Sequence, residues 1–522
     1  MVGIKKLRLL SACVTMAVMF TGCASGSGGT QTGSAGGTNN GATATQSGSS
    51  SKTDASSGTS LKPAELTVAF FTLSSQTKGI PEVEAAINKI TKEKINATVK
   101  LLPISFGSYV QQLNLMNASG EKLDLLVGAV QGGPSYNNMV STGQIVPLND
   151  LLDKYGQGIK EAMGPFLDAT KIGGKIYAIP RNSDLAQGYG IAMRKDLIDK
   201  HHIDITKIKS LDDLTPVFKT IKENEPGVTP FVEYAPGGSA FVPMGTFNLL
   251  GDGLGALQYG GDEKKVVNIY ETDAYAKQLK RIREWYQAGY IQKDAATTKD
   301  IGNDLIKANR AFSYFTNLKP GYDVQASKQA GTEMVSVQLV KPVLEQVTSF
   351  SWSVSKNSKD QDRAVMLLNL MYADKDLINL LDWGIEGRDY VKVQGKDNII
   401  KYPDGTSATT VPYGLNTGWL FGNQLKSYVF EGDDPNVWKQ MDDFNKNAVK
   451  SLALGFTYDN TPVKNETAAV TNVLKQYKIG IETGTLDPDA TLPQFIKKLK
   501  DAGIDTIVAE KQKQFDEWLK TK

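Results

Sequence analysis

The chain has 522 residues, with 58 Lys and Arg against 56 Asp and Glu and a formal charge of +2. A balance this even argues against nucleic acid as a partner, which usually calls for a marked basic excess. The only two cysteines, Cys13 and Cys23, lie near the start, so the long remainder has no disulfide and depends on its own apolar core.

The first elements in chain order concern destination. Lys5, Lys6 and Arg8 precede an apolar run over 9–20. At about a dozen residues this run is too short to span a bilayer, which takes about 20. The sequence Phe20-Thr21-Gly22-Cys23 then resembles the lipobox of bacterial lipoproteins. That resemblance implies a signal peptide over 1–22 and acylation of the Cys23 thiol. Removal of the leader leaves 55 basic residues against 56 acidic ones, a charge of −1. Residues 24–60 are nearly all Gly, Ser, Thr, Ala, Asn and Gln, with no large apolar side chain. Such a segment cannot offset its ordering entropy and reads as a tether over 23–60, reaching on the order of 35 Å.

The body then alternates strands and helices. Residues 66–71, 97–102 and 123–130 read as strands, separated by a helix over 81–94 and by a second whose spacing is marked by Tyr109, Gln112, Leu113 and Met116. This rhythm predicts a mainly parallel sheet covered by helices, with ligands at the carboxyl ends of its strands. Loops 71–75 and 129–133 would lie there. Residues 170–179 predict a hairpin turning at Gly173-Gly174, residues 187–193 a strand, and 194–200 a charged helix. Further on, a helix turns Tyr275, Leu279, Ile282 and Tyr286 to one face, and 311–315 and 334–339 read as strands. Two helices close the chain, striped by Leu492, Phe495, Ile496 and Leu499 and by Val508, Phe515 and Trp518.

This order of parts resembles the family 1 extracellular solute-binding proteins, the capture components of ABC importers, above all the sugar-type lipoproteins of Gram-positive bacteria. The stretches that carry the resemblance are GIEGRDYV (384–391), GWLFGNQ (418–424), YDNTPVKNETAAVTNVLKQYKIGIETGTLDPDATLP (458–493) and AGIDTIVAEKQKQFDEW (502–518). RKDL (194–197) and SKN (355–357) add shorter echoes. The resemblance implies an α/β, two-lobed periplasmic-binding-protein-like fold of type II. Its first lobe would be 61–187 with 346–425, and its second 188–345 with 426–522, joined by a hinge and carrying additional C-terminal helices. It also implies a monomer, lipid-anchored on the extracellular face of the cell membrane, that hands a solute to an ABC permease without a cofactor. An oligosaccharide is the first expectation for that solute. A peptide or other polar solute would suit the same fold, and a surface carbohydrate-active enzyme is the rival of another class.

Residue chemistry favours binding. His201 and His202 are adjacent and point in different directions on a helix, so they do not readily share one metal. The sequence contains no GxxxxGK[ST], HExxH or D-x-D-x-D-G pattern. Glu386, Glu233 and Asp184 are the carboxylates to consider for glycoside hydrolysis, which needs a pair about 5–10 Å apart. Sugar rings combine apolar C–H faces with hydroxyl rims, so their sites need flat aromatics and planar polar groups. Trp285, Trp438 and Trp518 fall in helical stretches and read as packing residues. Trp352, Trp383 and Trp419 fall in or beside loops, where binding residues concentrate, and Trp419 leads them. Arg181, Arg388, Tyr390, Asn423, Gln131, Tyr136, Tyr234 and Tyr314 are the polar candidates around them.

Overall fold

The computed structural model describes residues 61–130, 133–235, 245–415 and 417–522. The expected signal peptide, Cys23, the tether and Gln131 lie outside the described residues. Strands β1 (Ala64–Thr72), β2 (Ala97–Ser105) and β3 (Leu125–Gly128) pair in parallel, with β1 in the middle. Their crossovers are α1 (Ile80–Ile95) and α2 (Phe106–Ser119). From Leu66 onward every residue of β1 is buried, because a central parallel strand is covered on both faces and so reads as an unbroken apolar run. Helix α1 opens with Pro81 in its first turn and closes at Asn96, whose φ is 46° and whose N–H reaches the Lys92 carbonyl. Both are the expected chemistry of helix ends. The predicted hairpin forms between Lys171–Ile172 and Lys175–Ile176. Gly173 and Gly174 hold φ of 56° and 77° at its tip, which two-residue loops require.

The chain then builds a second sheet from β4 (Gln187–Arg194), β5 (Thr229–Phe231), β6 (Ala311–Leu318) and β7 (Met334–Leu344). It returns to the first sheet as β8 (Ser351–Val354), antiparallel to β3, and crosses back to add β9 (Val449–Lys450) beside β7. The orders are β8-β3-β1-β2 and β9-β7-β4-β6-β5. Each sheet has its own core. One runs from Leu66 to Ala186 and again from Leu344 to Phe421, and the other centres on Ile191 to Phe315 with Val463 to Ile507. Two packed α/β lobes result, with the chain passing between them near 186, 344 and 448.

Two local expectations are corrected. Arg194 ends β4 rather than opening a helix, and its buried guanidinium pairs with Asp196 as the helix Lys195–Lys200 begins. In α3 (Asp273–Gln287) the buried face is Tyr275, Leu279, Ile282 and Trp285, not Tyr286. The stripe passes between the last two positions, and the larger indole takes it. Trp285 packs on Phe218 at 5.0 Å and donates its Nε1–H to Thr215 Oγ1 at 2.9 Å. The later helices used below are α4 (Lys375–Trp383), α5 (Lys464–Glu482), α6 (Pro488–Asp501) and α7 (Ile504–Leu519). Among the described residues no helix is long and apolar enough to cross a membrane.

Candidate functional site

A cavity of about 800 Å³ opens between the two lobes. Ala129, Ser135, Tyr136 and Asn138 line it from the first lobe, Gln187 and Glu345 from the crossovers, and Asn248, Asp252 and Tyr458 from the second. Ala129 follows β3, so the cavity lies at the carboxyl end of a parallel strand, where such sheets bind ligands. Backbone strain is concentrated here. Six described non-glycine residues have positive φ, and three of them are Asn or His, which tolerate it. The other three are Ala129 (51°), Leu250 (48°) and Phe350 (55°). Two of these line the cavity and the third follows Ser349, which also lines it. Strain held in this way is characteristic of functional sites.

The wall is polar and carries acidic groups. Tyr136 is buried, donating its hydroxyl to Thr170 O at 2.7 Å and accepting the Tyr177 N–H at 3.1 Å. Glu345 accepts the Tyr259 hydroxyl, and burial pushes its carboxyl above the ordinary range. Asp252 pairs with the ammonium of Lys511, and Asp459 accepts the Thr461 N–H at 3.0 Å. Among the described residues no Lys or Arg lines the cavity. The internal residues outside the description, 131–132, 236–244 and 416, contain no charged side chain in the sequence.

The structure sorts the predicted site residues. Trp419 occupies a short 3-10 turn, Gly418–Leu420, and is partly buried. Its indole meets Phe350 at 5.5 Å and Phe71 at 5.9 Å, and the Arg181 guanidinium lies 4.8 Å from its centre. Phe106, about a third exposed, packs on Phe71 at 5.1 Å. An aromatic group is thereby gathered at the ends of β1 and β2, next to Ser349. Arg181 also pairs with Asp184 at 2.6 Å, and Asp184 reaches Lys319 at 2.8 Å. That chain of charges links the first crossover to the end of β6. Its two cations hold the Asp184 carboxyl well below the usual range against the opposing effect of burial.

Tyr136 apart, the other described candidates do not line this cavity, and each has protein partners. Trp352 is fully buried, stacks on Phe421 and donates to Leu420 O at 2.7 Å. Trp383 ends α4, stacks on Phe430 and donates to Ser427 Oγ at 2.8 Å. Tyr390 packs beside Tyr428 in the same satellite cluster. Arg388 grips Asp389 at 2.6 Å and Glu82 at 3.3 Å. Asn423 is buried and accepts from Asn182 at 3.1 Å. Tyr314 is buried under Tyr234, at 5.1 Å, inside the second lobe. Of the carboxylates considered for hydrolysis, Glu386 is exposed beside Lys392, Asp184 sits between two cations, and Glu233 is buried in the second lobe. Sequence reasoning missed Asp252, Glu345 and Tyr458. The run beginning YDN at 458 carried family resemblance, but no local signal placed it on a cavity wall.

Comparison with known proteins gives consistent results. A family model described as bacterial extracellular solute-binding protein matches residues 85–384, and a domain of unknown function matches 452–520. A carbohydrate ABC transporter substrate-binding protein of Streptococcus pneumoniae serotype 4 is 31% identical over 481 residues, covering 89% of this chain and 94% of the relative. The crystal structure of the N-glycan transport solute-binding protein NgtS from Streptococcus pneumoniae has a TM-score of 0.78 at 29% identity, covering 88% of this chain and 99% of that one. NgtS in complex with Man5GlcNAc has a TM-score of 0.66 at 29% identity and the same coverage.

Proposed function

Because the chain belongs to the bacterial extracellular solute-binding proteins, we propose that it captures a neutral oligosaccharide between its lobes and passes it to an ABC permease. In this reading it acts as a monomer held at the outer face of the cell membrane through acylated Cys23. The observation that carries the reading is the open, polar cavity of about 800 Å³ beside an aromatic group. Its wall offers hydroxyl, amide and carboxylate partners for sugar hydroxyls, and Phe106 and Trp419 offer apolar faces. No lysine or arginine lines it among the described residues, so a uronate, sulfate or peptide carboxylate would meet acidic groups and no cation to pair with. Its three carboxylates are each engaged by a protein partner, which favours holding a ligand over hydrolysing one. The N-glycan bound by NgtS makes Man5GlcNAc the first ligand to try.

The test is isothermal titration of the purified protein with Man5GlcNAc, other neutral oligosaccharides, alginate oligomers and short peptides. Micromolar binding of a neutral glycan, about −8 kcal/mol, is the expected result. Trp419→Ala should weaken it about tenfold, in line with the loss of one aromatic contact. Binding of peptides alone would replace the ligand class, and release of shortened sugar would make the protein an enzyme.

A further inference from the structure

The segment matched to a domain of unknown function, 452–520, contributes its first residues, between 453 and 460, to the cleft wall. Phe456, Thr457, Tyr458 and Asp459 line the cavity. This lip is braced from behind by α7. Lys511, Gln514 and Phe515 stand at i, i+3 and i+4, on one face of that helix. Phe515 packs on Phe456 at 5.2 Å. Gln514 takes both backbone groups of Asp459, accepting its N–H at 3.0 Å and donating to its carbonyl at 2.8 Å. The lip also touches the opposite lobe, where Asn137 Nδ2 donates to the Thr457 carbonyl. At Gly455 a Cβ would stand 3.0 Å from the Ala169 carbonyl.

Lys511 is the unusual member of this face. It is fully buried, where a lysine belongs only if it is paired. Its ammonium pairs with Asp252 Oδ1, donates to Gly255 O at 3.2 Å and lies 4.5 Å from the centre of the Tyr458 ring. One buried cation therefore holds two residues of the cavity wall. Both retain unused polar atoms. The Tyr458 hydroxyl is buried with no hydrogen-bond partner among the described residues, an arrangement that normally costs stability. The Asp252 side chain is 29% exposed, and among the described residues its Oδ2 has no protein partner.

We propose that the segment 452–520 carries a glycan-binding lip at 456–459, behind which buried Lys511 positions the Tyr458 side chain and the facing Asp252 carboxylate to hydrogen-bond sugar hydroxyls in the cleft. The proposal rests on the oligosaccharide reading above and gives this segment a role in it. Lys511 is a positioning residue, since it stands behind the wall. Asp252 meets ligand directly, and Tyr458, whose side chain lines the cavity, does so once its buried hydroxyl turns toward the cleft.

Titration calorimetry with Man5GlcNAc, paired with thermal unfolding, tests this on the wild type, Tyr458→Phe, Lys511→Met and Trp419→Ala. Tyr458→Phe removes an unpartnered hydroxyl, so its Tm should be unchanged or higher while its Kd rises about fivefold to tenfold. Lys511→Met keeps the length of the side chain without its charge, and the folded variant should bind at least tenfold more weakly. A purely structural lysine would lower Tm and leave the Kd of the folded protein unchanged. If Lys511→Met does not fold, Tyr458→Phe decides alone. Wild-type Kd in Tyr458→Phe overturns the lip, and the cleft reading survives if Trp419→Ala still weakens binding. Failure of the wild type to bind Man5GlcNAc or any other neutral oligosaccharide overturns both.

Discussion

Replacing Glu233 with Gln should make stability less dependent on pH by a calculable amount. Glu233 follows β5 and is only 8% exposed. Burial, and then the like charge of Glu482, push its carboxyl up to about 8 from an ordinary 4.5, against the opposing pull of Lys478. The folded state thus binds this proton more tightly than the unfolded chain does. Its contribution to stability is complete below pH 4.5, declines as the unfolded side chain ionises, and is lost once pH passes about 8. Relative to acid conditions the wild type should lose about 1 kcal/mol at pH 5, about 3 at pH 7 and about 5 at pH 9. Glu233→Gln has no such loss, so its advantage over wild type should widen by those amounts. Urea unfolding of both proteins at the three pH values measures the difference through the shift in midpoint. A constant difference across pH would refute the reasoning, since it would mean that Glu233 ionises alike in both states.

Two further substitutions probe the frame that holds the site. Gly422 has φ of 54°, and a Cβ there would stand 2.0 Å from the Met371 carbonyl. Gly422→Ala should therefore cost more than about 3 kcal/mol in urea unfolding, and a loss below 1 would contradict the geometry. Asp184→Asn leaves Arg181 and Lys319 facing each other without the carboxylate that joins them. Because Asp184 is partly exposed, the expected loss is modest, about 1–2 kcal/mol, and should shrink in high salt. An equal loss at low and high salt would show that charge repulsion is not its cause.

The sequence by itself determined what depends on residues close together in the chain. The apolar run at 66–71, the Pro81 that opens α1, the Gly173-Gly174 tip and the stripe of α6 each report on neighbours within a few positions, and each appears in the structure. Together with the motifs over 384–518, these were enough to read a two-lobed solute-binding fold. The cavity was not legible in the same way, because its wall is assembled from segments near 129–138, 248–252, 345–349 and 453–460. Trp352, Trp383 and Trp419 all fell in or beside loops, with Trp419 favoured, but only long-range pairing shows what surrounds each. Trp352 is sealed by the pairing of β8 with β3, Trp383 is taken by Phe430, and Trp419 alone of the three joins the aromatic group beside the cavity. Lys511 is the clearest case. The expected stripe of α7 was Val508, Phe515 and Trp518, whereas the buried face is Ile504, Ile507, Lys511 and Phe515. Helical periodicity can place a lysine on that face, but a buried charge is tolerated only beside a counter-charge. Asp252, more than 250 residues earlier in the chain, supplies it, and only the tertiary structure brings the two together.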